Sequence, residues 1–220
     1  QSPAANMESK DSKPFHIPLK MRLLTPADDQ VETLLELTQD QQTWTFDQVT
    51  SRPVLSINRN FSAPINLDFD QSEADLLTMF SSDDDAFNRW EAGQKLAMQM
   101  ILANRLPDKE LIEAYRTLLT DPELDPAFKE LALTLPAETY LYEQCASVDP
   151  QQIYAARRAF RHAIASDLRI EWAALYQQMQ TPGPFNPDAA SAGKRALKNL
   201  ALSMLLEADP LIWAPMAVNQ

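Results

Sequence analysis

The sequence predicts an α+β protein of two modules, an antiparallel β-sandwich followed by an all-α superhelical domain. Apolar and polar residues alternate in Ile65–Phe69, as they do in a strand with one buried face. From Ser72 onward the apolar residues recur at helical spacing, and the alternation does not return. Prolines follow several of these helical segments. We therefore expect domains at residues 1–70 and 71–220.

Composition is ordinary for a globular protein and excludes some partners. The chain has 220 residues, of which 45% are hydrophobic and 23% charged, enough for two modest domains with real cores. Its net charge is −12, and acidic residues outnumber basic ones in both predicted modules, so we expect no nucleic-acid partner. No apolar run approaches the roughly 20 residues of a membrane-spanning helix, so we expect no membrane partner.

Cysteine content and the two ends bear on location and completeness. Cys145 is the single cysteine, which suits a reducing compartment and predicts a cytoplasmic protein. The polar start of the sequence lacks the apolar region of a signal peptide. The apolar stretch Leu211–Val218 would expose Ile212, Trp213 and Met216 to water, so we expect a fragment of a longer polypeptide.

Residues 14–70 predict about five strands and hence a small antiparallel sandwich of the Ig-like type. The first strand runs from Phe15 to Leu23, with every second residue apolar and facing inward. Pro18 cannot donate to a sheet ladder, so its position must lie at an edge or face away from a neighbouring strand. Pro26–Asp29 supplies a turn. The remaining predicted strands are Leu34–Thr38, Thr43–Phe46, Val54–Ile57 and Ile65–Phe69.

The rest of the chain predicts helices of unequal length separated by prolines. Both Ser72-x-x-Asp75 and Ser82-x-x-Asp85 have capping-box spacing. Apolar residues continue at steps of three or four through Gln151–Gln180, which predicts one helix of about 40 Å. Such an array favours an irregular α-solenoid. The predicted helices are Asp85–Leu106, Asp108–Thr120, Pro126–Leu135, Ala137–Ala146, Gln151–Gln180 and Asp188–Ala208.

Two long motifs resemble a known family. The run FSAPINL begins at Phe61, an acidic and aromatic stretch follows, and FNRWEAGQ begins at Phe87. In this order they resemble the junction in the bacterial aminopeptidase N family of zinc-dependent alanyl aminopeptidases. There the junction joins a small β-sandwich to a C-terminal helical superhelix. The resemblance extends from Pro14 to the helix at Lys194 and implies that the first sandwich strand lies upstream of Gln1.

The resemblance also implies that the catalytic machinery is not in this chain. The family's zinc site needs HExxH, which places two imidazoles one helical turn apart beside a glutamate base. The sequence has two histidines, His16 and His162, and neither stands in that pattern. The family's Gly-Ala-Met-Glu-Asn substrate motif is also missing. We therefore expect no catalytic, cofactor-binding or metal-binding residue here, with zinc belonging to the parent enzyme.

Other residue patterns favour structural roles over binding or catalytic sites. Asp83–Asp85 lack the spacing of a calcium loop and favour helix capping, and Cys145 favours a structural thiol over a catalytic one. The turn Arg157–His162 allows an anion site but favours arginines paired to neighbouring acids. The remaining candidates, Trp90, Phe160 and Trp172, have core spacing, and the three glycines are too scattered for a phosphate-binding loop.

Two functional classes remain. In the first, the chain is the non-catalytic spacer and lid of an aminopeptidase N, which removes alanine and other N-terminal residues from peptides. Its partners would be the upstream catalytic domain of the same polypeptide and the peptide substrates. In the second, it is a free-standing α-solenoid that binds a protein partner. The family motifs favour the first class.

Overall fold

The structure is a computed structural model that describes residues 14–26, 31–47 and 49–218. Within these ranges it contains three strands followed by nine α-helices, which confirms the predicted two-module α+β class. Residue contacts divide the chain into two compact units, Gln1–Arg89 and Trp90–Gln220. We call them the sheet unit and the helical unit. The domain boundary expected between residues 70 and 71 stays a prediction.

The sheet unit contains an antiparallel sheet of three strands with β1 at its centre. The order is β2-β1-β3, with Leu19 opposite Leu35 and Leu23 opposite Leu55. Inward-facing apolar residues form a small core, because alternate side chains of a strand share one face. The strands are β1 Ile17–Leu24, β2 Val31–Leu37 and β3 Val54–Ile57. The buried core consists of Ile17, Leu19, Met21, Leu23, Leu35 and Ala63.

The structure explains how a proline fits in the central strand. Strand β3 pairs with β1 only from Met21 to Leu24, so it does not reach Pro18. The Lys20 backbone N–H donates to Ser62 Oγ at 2.8 Å and is therefore not directed at β2. Residues two apart in a strand direct their N–H groups to the same side, so Pro18 also faces away from β2. The prediction for Pro18 is confirmed.

Other strand predictions were wrong. Phe15 precedes the first pair of the ladder and is 63% exposed, so it is not an inward-facing strand residue. Thr43–Phe46 and Ile65–Phe69 form no strand, although Trp44, Phe46 and Ile65 still pack against the core. Alternation records which side chains face the core. It does not show that a neighbouring strand is present to bond the backbone.

Most predicted helices are present, with shorter ends. Helix α2 stops four residues before its predicted end, and the chain turns at Asn104, whose φ is 53°. Helix α9 occupies the apolar stretch for which no helix was predicted. The nine helices are α1 Glu73–Ser82, α2 Ala86–Leu102, α3 Lys109–Thr120, α4 Pro126–Leu133, α5 Glu138–Glu143, α6 Pro150–Asp167, α7 Arg169–Gln178, α8 Ala189–Ala208 and α9 Pro210–Val218.

The single long helix predicted for Gln151–Gln180 is broken at Leu168. Its backbone leaves the helical region, with φ −108° and ψ 22°, and α7 starts at the next residue. Leu168 is nevertheless fully buried, as are Phe160 before it and Trp172 after it. The apolar residues therefore continue at the same spacing across the break. For this reason the sequence pattern does not reveal the break.

Helix α8 organises the helical unit by contacting α4, α6, α7 and α9. Its residue Gly193 faces Ala127 of α4 so closely that a Cβ there would lie 3.0 Å from the Ala127 backbone nitrogen. Glycine therefore permits the close approach of these two helices. The core holds large side chains that are almost completely buried: Tyr115, Leu118, Phe160, Trp172, Leu197 and Leu205. Within the described ranges, no helix has the length and apolar character needed to cross a membrane.

Candidate functional site

A buried arginine lies at the centre of a polar cluster in the sheet unit. Arg59 is only 4% exposed, and its Nη1 donates to Ser56 Oγ at 2.9 Å and to Asp83 Oδ1 at 2.7 Å. Its Nη2 donates to Asp84, which also accepts from Arg22 Nη1 at 2.7 Å. Asp83 is fully buried. Since a buried charge is tolerated only when it is paired, these residues form one interdependent group, the Arg59 cluster.

The capping role predicted for Asp83–Asp85 holds only for Asp85. Its Oδ1 accepts the Asn88 backbone N–H at 2.9 Å at the start of α2, while the other two acids pair with arginines. The capping box predicted from Ser82 is wrong, because Ser82 ends α1 and its hydroxyl donates to Thr78 O. One acid is enough to cap a helix start. The two further acids in the run therefore indicate that cations from elsewhere in the chain pair with them.

Opposing effects set the pKa values inside the Arg59 cluster. Burial by itself lowers the pKa of Arg59, but hydrogen bonds to Asp84 and Asp83 outweigh it and leave that pKa raised. Burial works to raise the pKa of Asp84, yet Arg59 and Arg22 leave it lowered. Both groups therefore keep their charge at neutral pH, and each stabilises the charged form of the other.

The first residues of the two motifs that carry the family resemblance lie close together in the sheet unit. The rings of Phe61 and Phe87 have centroids 4.1 Å apart. Asn88 Nδ2 donates to Ser56 Oγ at 2.9 Å and to the Ile57 carbonyl at 3.0 Å. These contacts join the start of α2 to the end of β3. The motif residues therefore act as structural connectors between sheet and helix.

A second ion pair fixes the start of α1. Arg52 donates through both Nη atoms to the Asp75 carboxylate, at 2.9 and 2.8 Å. The Ser72 hydroxyl accepts the Asp75 N–H, and Asp75 in turn accepts the Ser72 N–H, so the capping box predicted here is confirmed. The Arg52 guanidinium, with smaller help from Ser72, lowers the pKa of Asp75 against the effect of burial.

The basic turn predicted on the long helix borders a cavity of about 370 Å³ in the helical unit, which we call the α6 cleft. Arg157 Nε donates to the Pro136 carbonyl at 2.7 Å, and Arg161 Nη2 donates to Ser203 Oγ at 2.8 Å. Among the described residues, Arg158 alone of the three lies within 4 Å of a carboxylate oxygen, that of Glu207 at 3.8 Å. The predicted pairing to acids is therefore met by one of the three arginines. The cleft is lined by Glu138, Tyr154, Arg157, Arg158, Arg161 and Glu207.

The other candidate residues, His16, His162 and Cys145, have ordinary surroundings. His16 is exposed and lies 3.7 Å from Glu36, and His162 lies 3.6 Å from Glu207. Cys145 is only half-buried, with its sulfur 3.5 Å from the Leu141 carbonyl. In the part of the chain that the structure describes, no three His, Cys, Asp or Glu side chains gather as metal ligands. The expectation that the chain holds no catalytic, cofactor or metal residue stays a prediction.

The aromatic residues assigned to the core divide into two groups. Phe160 and Trp172 are fully buried, as predicted. Trp90 is half-buried and lines a groove of about 290 Å³ together with Pro136 and Tyr140.

Comparison with known proteins gives a family for each module. A family described as a domain of unknown function with an Ig-like fold, DUF3458, matches residues 1–70. Another, described as a domain of unknown function with ARM repeats, DUF3458_C, matches residues 73–220. The chain belongs to the DUF3458_C family, whose model covers more than half of it. The predicted Ig-like and superhelical classes agree with both descriptions.

Named relatives of this DUF3458_C chain are aminopeptidases. It is 42% identical to Aminopeptidase N of Caulobacter vibrioides over 79% of its own length and 21% of that protein. It is 28% identical to Aminopeptidase N of Escherichia coli, over 93% of its length and 26% of that protein. The crystal structure of Legionella pneumophila aminopeptidase A in complex with aspartic acid matches with a TM-score of 0.81, 26% identity, and coverage of 93% of this chain and 26% of that one.

These matches confirm the resemblance to aminopeptidase N seen in the two motifs. They also show that the chain spans only about a quarter of the length of the relatives it matches.

Proposed function

We propose that this chain is the non-catalytic spacer and lid region of a zinc-dependent aminopeptidase N. Residues 1–70 are the spacer and residues 71–220 are the first part of the lid. The observation that carries the proposal is the unequal coverage of the alignments. They include 79–93% of this chain but only 21–26% of each relative. Such unequal coverage is expected of a region that works within a larger polypeptide.

In this proposal the chemistry belongs to the upstream catalytic domain of the same polypeptide. The parent removes N-terminal residues, alanine among them, from peptides with one zinc ion. A catalytic zinc site takes three protein ligands and leaves a position for water, and the two histidines of this chain lie in sequence settings unlike that site. The single cysteine fits a cytoplasmic location for the parent.

The contacts within the sheet unit support the spacer role. A spacer keeps the regions that it joins in fixed positions. The segment that leaves the sheet should therefore be held by several contacts. The Arg59 cluster and the Asn88 amide bond the beginning of the helical segment to β3 and its following turn. The described part of residues 14–72 contains no glycine, and its left-handed backbone positions are occupied by Asn58, Asn60 and Phe61, which have fewer accessible backbone conformations than glycine.

The lid role is steric and can be tested in the parent enzyme. We expect Arg59→Met in the parent to loosen the spacer and so weaken discrimination between a short alanine anilide and a long peptide. The readout is the ratio of the two kcat/KM values. The kcat/KM for the short anilide should stay near that of the wild type, because zinc and base are untouched.

A matched control is Arg169→Met, which removes the same charge from an exposed residue of α7. It should leave the ratio almost unchanged. An Arg59→Met parent that is measurably destabilised and yet keeps full size discrimination would contradict the proposed role.

A further inference from the structure

The α6 cleft is a positively charged cavity in an acidic protein. Three arginines and two glutamates line it, whereas the whole chain carries a net charge of −12. All three arginines project from one helix, because residues 157, 158 and 161 lie within about one turn of α6. Tyr154, one turn earlier, is 51% exposed and also lines the cavity. The cleft therefore combines several cationic donors with one aromatic wall.

Two of these arginines are held by neutral groups. Arg157 bonds a backbone carbonyl, and Arg161 bonds a serine hydroxyl. In addition, Arg161 Nε is buried and has no hydrogen-bond partner among the described residues. These bonds orient the guanidinium groups without neutralising them.

The acids in the cleft neutralise the arginines incompletely. Glu207 is shared between Arg158 at 3.8 Å and His162 at 3.6 Å, distances too long for strong hydrogen bonds. Glu138 accepts from the Tyr142 hydroxyl at 3.3 Å. Burial lowers the pKa of Arg157; Glu138 opposes this effect, and the nearby charge of Arg161 adds to it. Arginine remains charged despite such shifts, so the repulsion persists until an anion offsets it.

We propose that the α6 cleft binds a small phosphate-class oxyanion, either free phosphate or the phosphate group of a small molecule. A planar guanidinium donates in pairs to the oxygens of such a group, and several guanidiniums can share its tetrahedral set of acceptors. A cavity of about 370 Å³ also falls in the range of small-molecule sites and leaves room beyond the anion. This site is independent of the aminopeptidase role.

The test is isothermal titration calorimetry on the 220-residue chain at constant ionic strength. The probes are inorganic phosphate, glycerol 3-phosphate and acetate. We expect saturable binding at one site for a phosphate compound, with acetate at least about tenfold weaker because it offers fewer acceptor oxygens. Tighter binding of glycerol 3-phosphate indicates a phosphorylated small molecule, and equal or tighter binding of inorganic phosphate indicates the free ion. Absent saturation, or equal binding of acetate, would overturn the proposal.

Substitutions locate the binding. Arg157→Gln and Arg158→Gln should each weaken the tighter phosphate probe about tenfold, the effect of losing one charge-assisted hydrogen bond. Arg158 is 65% exposed, so its variant should fold even if the Arg157 variant does not. Glu207→Gln should strengthen binding, because a competing carboxylate is removed.

The matched control is Arg169→Gln, which removes an equal charge from an exposed residue of α7 outside the cleft. It should leave the affinity unchanged. Two results would show that the anion does not bind in the α6 cleft. One is that Arg169→Gln weakens binding as much as Arg158→Gln does. The other is that neither Arg158→Gln nor Glu207→Gln changes the affinity.

Discussion

The sheet unit and the helical unit are held together by different interactions. The sheet unit buries a small apolar core around the strands, together with Leu76 and Phe80 of α1, and adds the Arg59 cluster, in which Arg59 and Asp83 are both buried. The helical unit buries large side chains such as Tyr115, Phe160 and Trp172 completely. A small core gives limited apolar stabilisation, so the charged cluster carries more of the specificity in the sheet unit.

This difference teaches how each unit should respond to change. Apolar packing is insensitive to pH but costly to disrupt with a cavity. Charge pairs respond to protonation and to the loss of a single partner. A substitution in one unit should therefore change hydrogen exchange mainly in that unit. Mass spectrometry can detect this, because it reports local stability peptide by peptide.

The largest expected effect lies in the helical unit. Trp172→Ala removes a fully buried indole from α7 and should lower the free energy of unfolding by about 3–5 kcal/mol. Hydrogen exchange should accelerate in α6, α7 and α8 but not in β1–β3. The control Ile170→Ala, on the same helix but 77% exposed, should change stability by less than about 0.5 kcal/mol. Equal acceleration in both units would show that they unfold as one.

The next effect tests the sheet unit. In Asp83→Asn, Oδ1 can still accept from Arg59 and from the Asp85 N–H, but the buried one of the two carboxylate charges paired with Arg59 is lost and only Asp84 remains. We expect a loss of about 1–3 kcal/mol, confined to the sheet unit. Asp84→Asn, at a side chain that is 58% exposed, should cost less than about 1 kcal/mol. A larger loss for Asp84 than for Asp83 would contradict the importance assigned to burial.

Sequence reasoning recovered the features that depend on local patterns. The change from strand to helix, the cap at Ser72 and the buried face of α6 and α7 all follow from spacing and capping chemistry. Pairing across distance did not follow. Arg59 and Asp83 lie 24 positions apart, and no local pattern indicates that they meet.

The strands that were predicted but not formed have the same explanation. Ile65 still packs against the sheet core, but a strand needs a neighbour to complete its backbone hydrogen bonds, and spacing does not supply one. The break at Leu168 was hidden because the buried residue at the break continues the apolar pattern. For the α6 cleft, the sequence located the basic turn, whereas the neutral partners of Arg157 and Arg161 come from distant positions.

Acid should loosen the sheet unit first. The pKa of Asp75 is lowered by Arg52, and that of Glu32 by its hydrogen bond to Lys20. A carboxylate with a lowered folded-state pKa stabilises the fold above its unfolded pKa, and this stabilisation is lost as the pH falls through the folded pKa. For Asp75 the loss should therefore begin near its ordinary value of 3.8 and grow below it.

The measurement is hydrogen exchange after equilibration at pH 7 and at steps down to pH 3, corrected for the intrinsic pH dependence of exchange. Asp75→Asn should flatten the profile of the sheet unit and leave the helical unit unchanged. Within the helical unit, the pKa of Asp188 is also lowered, by hydrogen bonds from Ser191, so a smaller response is expected at the start of α8. If the helical core lost its protection from exchange at a higher pH than the sheet unit, the expected order of acid sensitivity would be contradicted.

The smallest effect distinguishes two serines with the same sequence pattern. Ser72→Ala removes the cap of α1 and should cost about 1 kcal/mol. Ser82→Ala removes a hydroxyl that bonds the preceding turn of the same helix and should cost less than about 0.5 kcal/mol. Urea unfolding of the two variants measures the difference. Equal costs would mean that the capping box has no special role.

The central claim is that catalysis lies outside these residues, and its most direct test is turnover of alanine anilide by the 220-residue chain. The parent enzyme serves as the positive control, and zinc is added at several concentrations. We expect no turnover above background at any zinc concentration, because a zinc-activated water and a positioned base are both required. Turnover that persists through repurification and depends on added zinc would show that these residues contain an active site, and would contradict the assignment of the chain as spacer and lid.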